Sequence, residues 1–395
     1  MKHKIEIKMK TKFIFFILLI ILSFFFQNKL SALPLQRNFF VDGVEYEILK
    51  NDSNSVMVSR IWDNFSETVV IPHSVEYADR IYSVTTIGEY VFSSSCITKV
   101  ILPNSITTIN GRAFESNSKL SRIIIPNNVE HILDAAFRSC KNLEEVIISN
   151  GVKTIGREAF HAANSLNSIT LPSSLIFIGE SAFRDSRFLS NIVIPDTVFI
   201  DRYAFHKTAW YESQQDGLVF LGKTLYEYKE KEVELDDSHK NKKYKKLLVR
   251  GRDHTNRGRM LEKTKIDIPD GTLFITPDSF YGCLGLTEII LPESLLGIGK
   301  AAFGSCVSLR SVDIPKQVKN ISQHAFSHCT RLKKINVYWE DPSSVCIFNY
   351  RGEPDTNTWV WVRSKTSELI VPKGTKEKYE QMAAWKRFKI VERKK

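Results

Sequence analysis

The chain has 395 residues, of which 43% are hydrophobic and 25% charged, so it holds ample material for a large core and is excluded from the intrinsically disordered class. Its net charge of +11 suggests a nucleic-acid partner until the charges are located. Residues 1 to 32 carry six lysines against Glu6, residues 240 to 265 carry eleven Lys or Arg against Asp253 and Glu262, and the remainder is slightly acidic, so the body of the protein is not a general polyanion binder.

In chain order, the first element is a targeting segment. Lys2, Lys4, Lys8, Lys10 and Lys12 precede the apolar run FIFFILLIILSFFF (13 to 26), a polar QNK and a small-residue site ending at Ala32. That order is the order of a secretory signal peptide, assigned to residues 1–32. The run is shorter than the roughly 20 residues a membrane-spanning helix needs, so removal after Ala32 is expected. Leu30, larger than the usual residue at that place, keeps an uncleaved anchor as the alternative. No cysteine directly follows the run, and nothing points to a lipoprotein anchor.

Residues 33–79 read as an N-terminal β cap, because Asp42-Gly43 supplies a hairpin turn between alternating strands. A repeat follows. Phe92, Phe114, Phe137, Phe160, Phe183 and Phe205 recur at intervals of 22 or 23 residues, and Phe280, Phe303 and Phe326 recur at 23. Five residues before each stands an isoleucine: Ile87, Ile109, Ile132, Ile155, Ile178, Ile200, Ile275, Ile298 and Ile321. In seven coils a leucine lies six residues after the phenylalanine, followed by an alternating stretch such as Ile123-x-Ile125 that usually ends in proline.

Alternation over so few residues indicates a short strand with one face buried, and proline ends it because it cannot donate to a ladder. One such unit cannot bury its apolar face alone, so successive units must stack like on like. The expected fold is mainly β, a parallel β-solenoid of about nine coils. It divides into repeat block 1 (80–208), a hairpin plus basic insertion (209–265), repeat block 2 (266–338) and a C-terminal cap (339–395) of strand, Pro-Lys-Gly turn, short helix and final strand.

These units, LxxIxIPxxVxxIxxxAFxxC in outline with the Ala-Phe pair in seven of nine, resemble the BspA-type leucine-rich repeat proteins of bacterial surfaces. The resemblance covers roughly residues 36 to 395, with departures at Val91-Phe92 and Ser279-Phe280. It implies a secreted or cell-surface protein that binds host or neighbouring-cell macromolecules, a protein or glycan ligand, without catalysis.

Several motifs compete with that reading. GLVFLGKT (217 to 224) fits G-x-x-x-x-G-K-[ST] letter for letter, with Gly217, Gly222, Lys223 and Thr224 in place. A phosphate loop is a flexible Gly-rich turn between strand and helix; LVFL is bulky and strand-forming, so the expectation is a hairpin turning at Gly222-Lys223 and no nucleotide. His324 and His328 stand four apart beside Cys329, as in helical metal pairs, but the repeat makes both histidines outward positions, and no metal or other cofactor is expected. Cys283, Cys306 and Cys329 share one repeat position, within disulfide reach across stacked coils; small buried thiols are the plainer expectation. Asn51, Asn64 and Asn320 head glycosylation sequons, and no G-x-S-x-G, H-E-x-x-H or framed carboxylate pair appears.

Two surfaces could hold a partner. The middle residue of each outer strand points outward, giving an apolar stripe of Ile101, Ile124, Ile147, Thr170 and Val193, continued by Ile290, Asp313 and Asn336. The other surface is the basic insertion, with Lys240, Lys242, Lys243, Lys245, Lys246, Arg250, Arg252, Arg257 and Arg259 as a polyanion patch. For the stripe, simple β-propensity or cover by the insertion is the alternative; for the patch, a solvated loop.

Overall fold

The structure, a computed structural model, describes residues 37–61, 67–229, 264–348, 367–385 and 387–394. Residues 1–32 and the basic patch lie outside the described residues. The chain winds as a parallel β-solenoid in which each full coil has three sides.

The first side is an outer strand of three to five residues, such as Arg122–Ile125 or Glu145–Ile148, with alternate residues buried. These two pair in parallel and in register, Ile123 against Val146 and Ile125 against Ile148. The second side is a strand of two or three residues, and here Ile132 aligns with Ile155, Ile178 and Ile200 through successive coils.

The third side is a turn built on the phenylalanine. Residues two before and two after it adopt left-handed backbone: Arg112 and Ser116 around Phe114, Ala135 and Ser139 around Phe137, Glu158 and Ala162 around Phe160, all with φ between 55° and 59°. Such a conformation costs an L-residue about 1–2 kcal/mol. It is held by a ladder between coils, in which the Phe114, Phe137 and Phe160 N–H groups donate to the carbonyls of Ala136, Ala159 and Ala182 at 2.7–2.8 Å. The alanine before the phenylalanine in seven of the coils is buried. Phe92 to Phe205 form one stacked column with centroids 4.7–5.2 Å apart, and Phe280, Phe303 and Phe326 form a second at 5.3 Å. These separations suit offset-stacked rings.

The number of turns is about eleven rather than nine. Leu225 takes the isoleucine place beside Ile275, and Ile347 takes it beside Ile321. Neither is followed by the Ala-Phe turn, so the motif passes over both. Leu225 belongs to a hairpin of Gly217–Leu221 and Thr224–Lys229, which enters the stack rather than standing outside it. Val219, Leu221 and Tyr226 pack into the core of the first block, while Leu225 packs into that of the second. The hairpin is thus a septum between two hydrophobic cores. A helical turn, Ala209–Glu212, leads into it, with the Thr208 hydroxyl accepting from the Tyr211 N–H at 3.1 Å.

The ends are closed as capping requires. Asn38–Val41, Val44–Ile48 and Ser55–Ile61 form a meander that joins the second-side sheet through Arg80–Ile87. Its first turn, Asp42-Gly43, has positive φ at both residues, 48° and 76°, the pattern of a type I′ hairpin. At the other end Glu368–Val371 and Lys389–Glu392 extend the outer sheet beyond Lys334–Val337. Helix Lys376–Gln381 covers that end, with Tyr379 and Trp385 fully buried and the Tyr379 hydroxyl donating to the Trp339 carbonyl at 2.8 Å.

Candidate interaction surface

The outer strands of the first block, in two sheets that part between Glu145–Ile148 and Ser168–Thr170, bring Ile101, Ile124, Ile147, Thr170 and Val193 to exposed positions. Ile124 lies opposite Ile147, and Thr170 opposite Val193. The row begins one strand earlier than the repeat suggests, because Val70 pairs with Ile101. Its signal is the VVIP of residues 69 to 72, an outer-strand motif separated from the next phenylalanine turn, at Phe92, by the inserted strand pair Ser74–Tyr77 and Arg80–Ile87. The five aliphatic members are between 39% and 64% exposed, Val70 most of all. Beside them runs a second exposed row of Lys99, Arg122, Glu145, Ser168 and Asn191. Within it Arg122 Nε reaches Glu145 Oε2 at 2.7 Å, so part of its charge is neutralised inside the row.

In the second block the equivalent outer strands, in sheets of their own, are mostly polar outside. Asp267 faces Ile290, and Asp313 accepts a hydrogen bond from the Asn336 side-chain amide in the next coil. Lys265, the last residue of the basic segment, is exposed and ion-paired with Glu288 at 2.8 Å, and the hydrogen bond it donates to that carboxylate raises its pKa. The stripe therefore belongs to the first block, with Ile290 alone as its aliphatic counterpart among Asp267, Ile290, Asp313 and Asn336.

GLVFLGKT is a hairpin and not a phosphate cradle. Gly222 has φ +58° and Lys223 keeps negative φ, as a glycine-first two-residue turn requires. The Lys223 ammonium pairs with Asp196 at 2.9 Å, and the buried Thr224 hydroxyl donates to the Val198 carbonyl at 3.3 Å. Both side chains that would meet a phosphate and its metal are committed to the fold.

A profile of the BspA-type leucine-rich repeat region matches residues 85–210 and 260–345 in six copies, more than half of the chain. The chain belongs to the BspA-type leucine-rich repeat family. No curated protein matches it. Similar solved structures include a leucine-rich cell surface protein from Faecalibacterium prausnitzii, 18% identical, covering 89% of this chain and 98% of that one with a TM-score of 0.41. A leucine-rich repeat protein from Bacteroides ovatus is 23% identical over 90% of this chain and 100% of that one, TM-score 0.28. The pneumococcal vaccine antigen PcpA is 18% identical over 91% and 99%, TM-score 0.36. At these identities the likeness concerns the fold alone.

The BspA-type repeat also accounts for most of the cysteines. Cys140, Cys306 and Cys329 are buried, and each thiol donates to the phenylalanine carbonyl of the preceding coil, Phe114, Phe280 and Phe303, at 3.0–3.2 Å. Ser186 makes the same bond to Phe160 at 2.9 Å. Burial pushes the Cys140 thiol up to about 12 and raises that of Cys306 as well. All six cysteines are free thiols, Cys96 exposed and Cys346 half-buried. His324 is half-buried and His328 exposed. Among the described residues no group of three His, Cys, Asp or Glu side chains is placed to hold a metal ion, and no helix is long and apolar enough to cross a membrane.

Proposed function

We propose that this protein is an exported, non-catalytic repeat scaffold that binds a macromolecule of host or neighbouring cells through the outer face of its first block. One observation carries the reading: five aliphatic side chains, Val70, Ile101, Ile124, Ile147 and Val193, with Thr170 between the last two, stand exposed at equivalent places on the outer strands of six successive coils. Exposed aliphatic rows of this kind mark interaction surfaces, and solenoids recognise partners through the side chains of the stacked sheet. The neighbouring Arg122–Glu145 pair turns charge inward on itself, so attraction across this face is mainly apolar and tolerates salt. Export rests on the lysine-rich start and apolar run of residues 2 to 26, and surface residence on family membership.

The second reading is a polyanion-binding protein acting through the basic segment, favoured by its net +9 between residues 240 and 265. Phosphate or sulfate contacts would weaken steeply with salt. The experiment is binding of the secreted protein to immobilised host extracellular-matrix proteins at low and high salt, with an Ile124→Asp/Ile147→Asp double variant and a deletion of residues 240 to 259. The apolar reading expects salt-tolerant binding that falls at least about tenfold in the double variant and survives the deletion. Unchanged binding by the correctly folded double variant sinks it; loss on deletion, with steep salt dependence, supports the second reading.

A further inference from the structure

The seam between the two blocks holds five charged residues: Glu180, Asp201 and Arg202 from the first, Asp278 and Lys300 from the second. Arg202 Nη2 pairs with Glu180 Oε1 at 2.8 Å, and Nη1 reaches across the hairpin to Asp278 Oδ2 at 3.7 Å. The Asp201 carboxylate accepts from the Arg202 N–H at 2.7 Å, and the Asp278 N–H donates to the Lys300 carbonyl at 2.9 Å. Three carboxylates thus lie around the Arg202 guanidinium in a half-buried cluster, with the Lys300 charge acting on Asp201 and Asp278.

This is also where the second-side ladder stops. The sheet containing Phe199–Ile200 ends there, a new sheet starts with the hairpin, and the outer strand Asn191–Val193 pairs only with Ser168–Thr170. The phenylalanine column breaks between Phe205 and Phe280, where Tyr226 and Tyr228 lie against them at 6.2 and 5.9 Å, and Phe199 meets Phe274 edge-on across the seam at 6.1 Å. Tyr228 also donates its N–H to the Ser279 carbonyl, next to Asp278.

We propose that this charge cluster makes the seam a proton-controlled joint, firm in mild acid and looser at neutral pH, which governs how rigidly the outer faces of the two blocks are held to each other.

Burial lifts the Asp278 carboxyl from 3.8 to about 6; Arg202 and Lys300 oppose that shift, while Asp201 and Glu180 add to it. Asp201 is raised too, chiefly by burial, against the bond it accepts from the Arg202 N–H. Opening the seam returns Asp278 to water and to its ordinary value. The closed form then binds the proton more tightly than the open one, so the stabilisation is complete below pH about 4 and is lost as pH rises through 6. Between pH 5 and 7.5 this linkage changes the closed-to-open ratio by about tenfold.

The test is hydrogen exchange of the full chain at pH 5 and 7.5, corrected for intrinsic rates. It reads the amides of Tyr228, Leu273 and Thr276, whose bonds run between the hairpin and the second block. Protection at these amides is expected to be about tenfold greater in acid, while the Phe137 amide in mid-block stays level. Asp278→Asn copies the protonated form, and asparagine tolerates the left-handed backbone at this residue, φ 61°; it should abolish the pH effect. Asp201→Asn, which removes a neighbouring negative charge, should reduce it and serves if the first variant misfolds. A wild-type seam indifferent to pH, or a pH effect that persists in both variants, overturns the proposal.

Discussion

In the first block the outward residue at the middle of each outer strand is Ile101, Ile124, Ile147, Thr170 or Val193, whereas in the second Asp267 and Asp313 alternate with Ile290 and Asn336. Behind those faces the interiors are interchangeable: Ile155 and Ile298, Phe160 and Phe303, Leu166 and Leu309 are all almost completely buried. Stacking explains the contrast. An inward side chain must match the one above and below it, while an outward one meets only water and whatever the protein binds. Conservation of pattern between the blocks therefore reports the scaffold, and divergence reports the surface on which the two blocks differ in use.

The septum makes the sharpest test of that comparison. Because the first core takes Val219, Leu221 and Tyr226 and the second takes Leu225, the blocks hold separate apolar cores. Phe160→Ala and Phe303→Ala should each cost about 3–5 kcal/mol, read as a lower denaturant midpoint. Hydrogen exchange should then show protection lost in the block that carries the change and kept in the other. Simultaneous loss in both blocks would mean that the septum transmits packing instead of isolating it.

On the outer faces the expected effects shrink. Ile147→Asp replaces an exposed side chain and should shift stability by no more than about 0.5 kcal/mol while weakening partner binding; a collapse of the fold would show that the stripe is covered core. The reciprocal change, Asp313→Ile, also removes the acceptor of the Asn336 amide and lengthens the apolar face of the second block. Binding should not fall, since that face is outside the stripe. If it falls as far as in Ile147→Asp, the second block is part of the contact and the boundary drawn at Val193 is wrong.

A smaller effect follows from the turn beside each phenylalanine. Gly282, Ser139 and Ser305 occupy one repeat position with φ of 75°, 59° and 61°. Gly282→Ser should destabilise the second block and Ser139→Gly stabilise the first, each by about 0.5–1 kcal/mol, the left-handed penalty less the greater freedom of glycine when unfolded. Thermal unfolding of the pair measures both signs.

These positions show what can be read from sequence and what cannot. The isoleucine and phenylalanine columns are legible because a stacked coil has one solution for its interior, so period alone predicts the neighbour. Outward exposure of Ile124 and Ile147 follows from alternation. Leu225 and Ile347 are not legible as coil positions, because each keeps the ladder strand but lacks the Ala-Phe turn by which a coil is recognised. Left-handed backbone at Arg112 or Glu158 carries no glycine to announce it; the bonds to the next coil hold it there. The charge cluster at the seam is hidden for another reason. Arg202 and Asp278 are far apart in sequence, and only the folding of the hairpin into the stack makes them neighbours.

The slightest change concerns the position three residues after phenylalanine, where the blocks again differ. The first block places Ser95, Asn117, Cys140, Ala163, Ser186 and Thr208 there, and the second Cys283, Cys306 and Cys329. Cys306 donates to the Phe280 carbonyl as Ser186 does to Phe160, and Ala163 fills the slot with no donor at all, so the slot asks for a small side chain, accepts a donor, and does not call for sulfur chemistry. Cys306→Ser keeps the donor and loses little volume, and should move stability by less than about 1 kcal/mol in a denaturant titration. Cys306→Val removes the donor from a buried carbonyl and adds a branched side chain to a narrow place, so it should cost more. With the thiols raised by burial, alkylation at pH 8 should label exposed Cys96 and spare Cys140 and Cys306. Equal labelling of all three, or a serine variant as damaging as valine, would show that the sulfur atoms do more than fill and cap the coil.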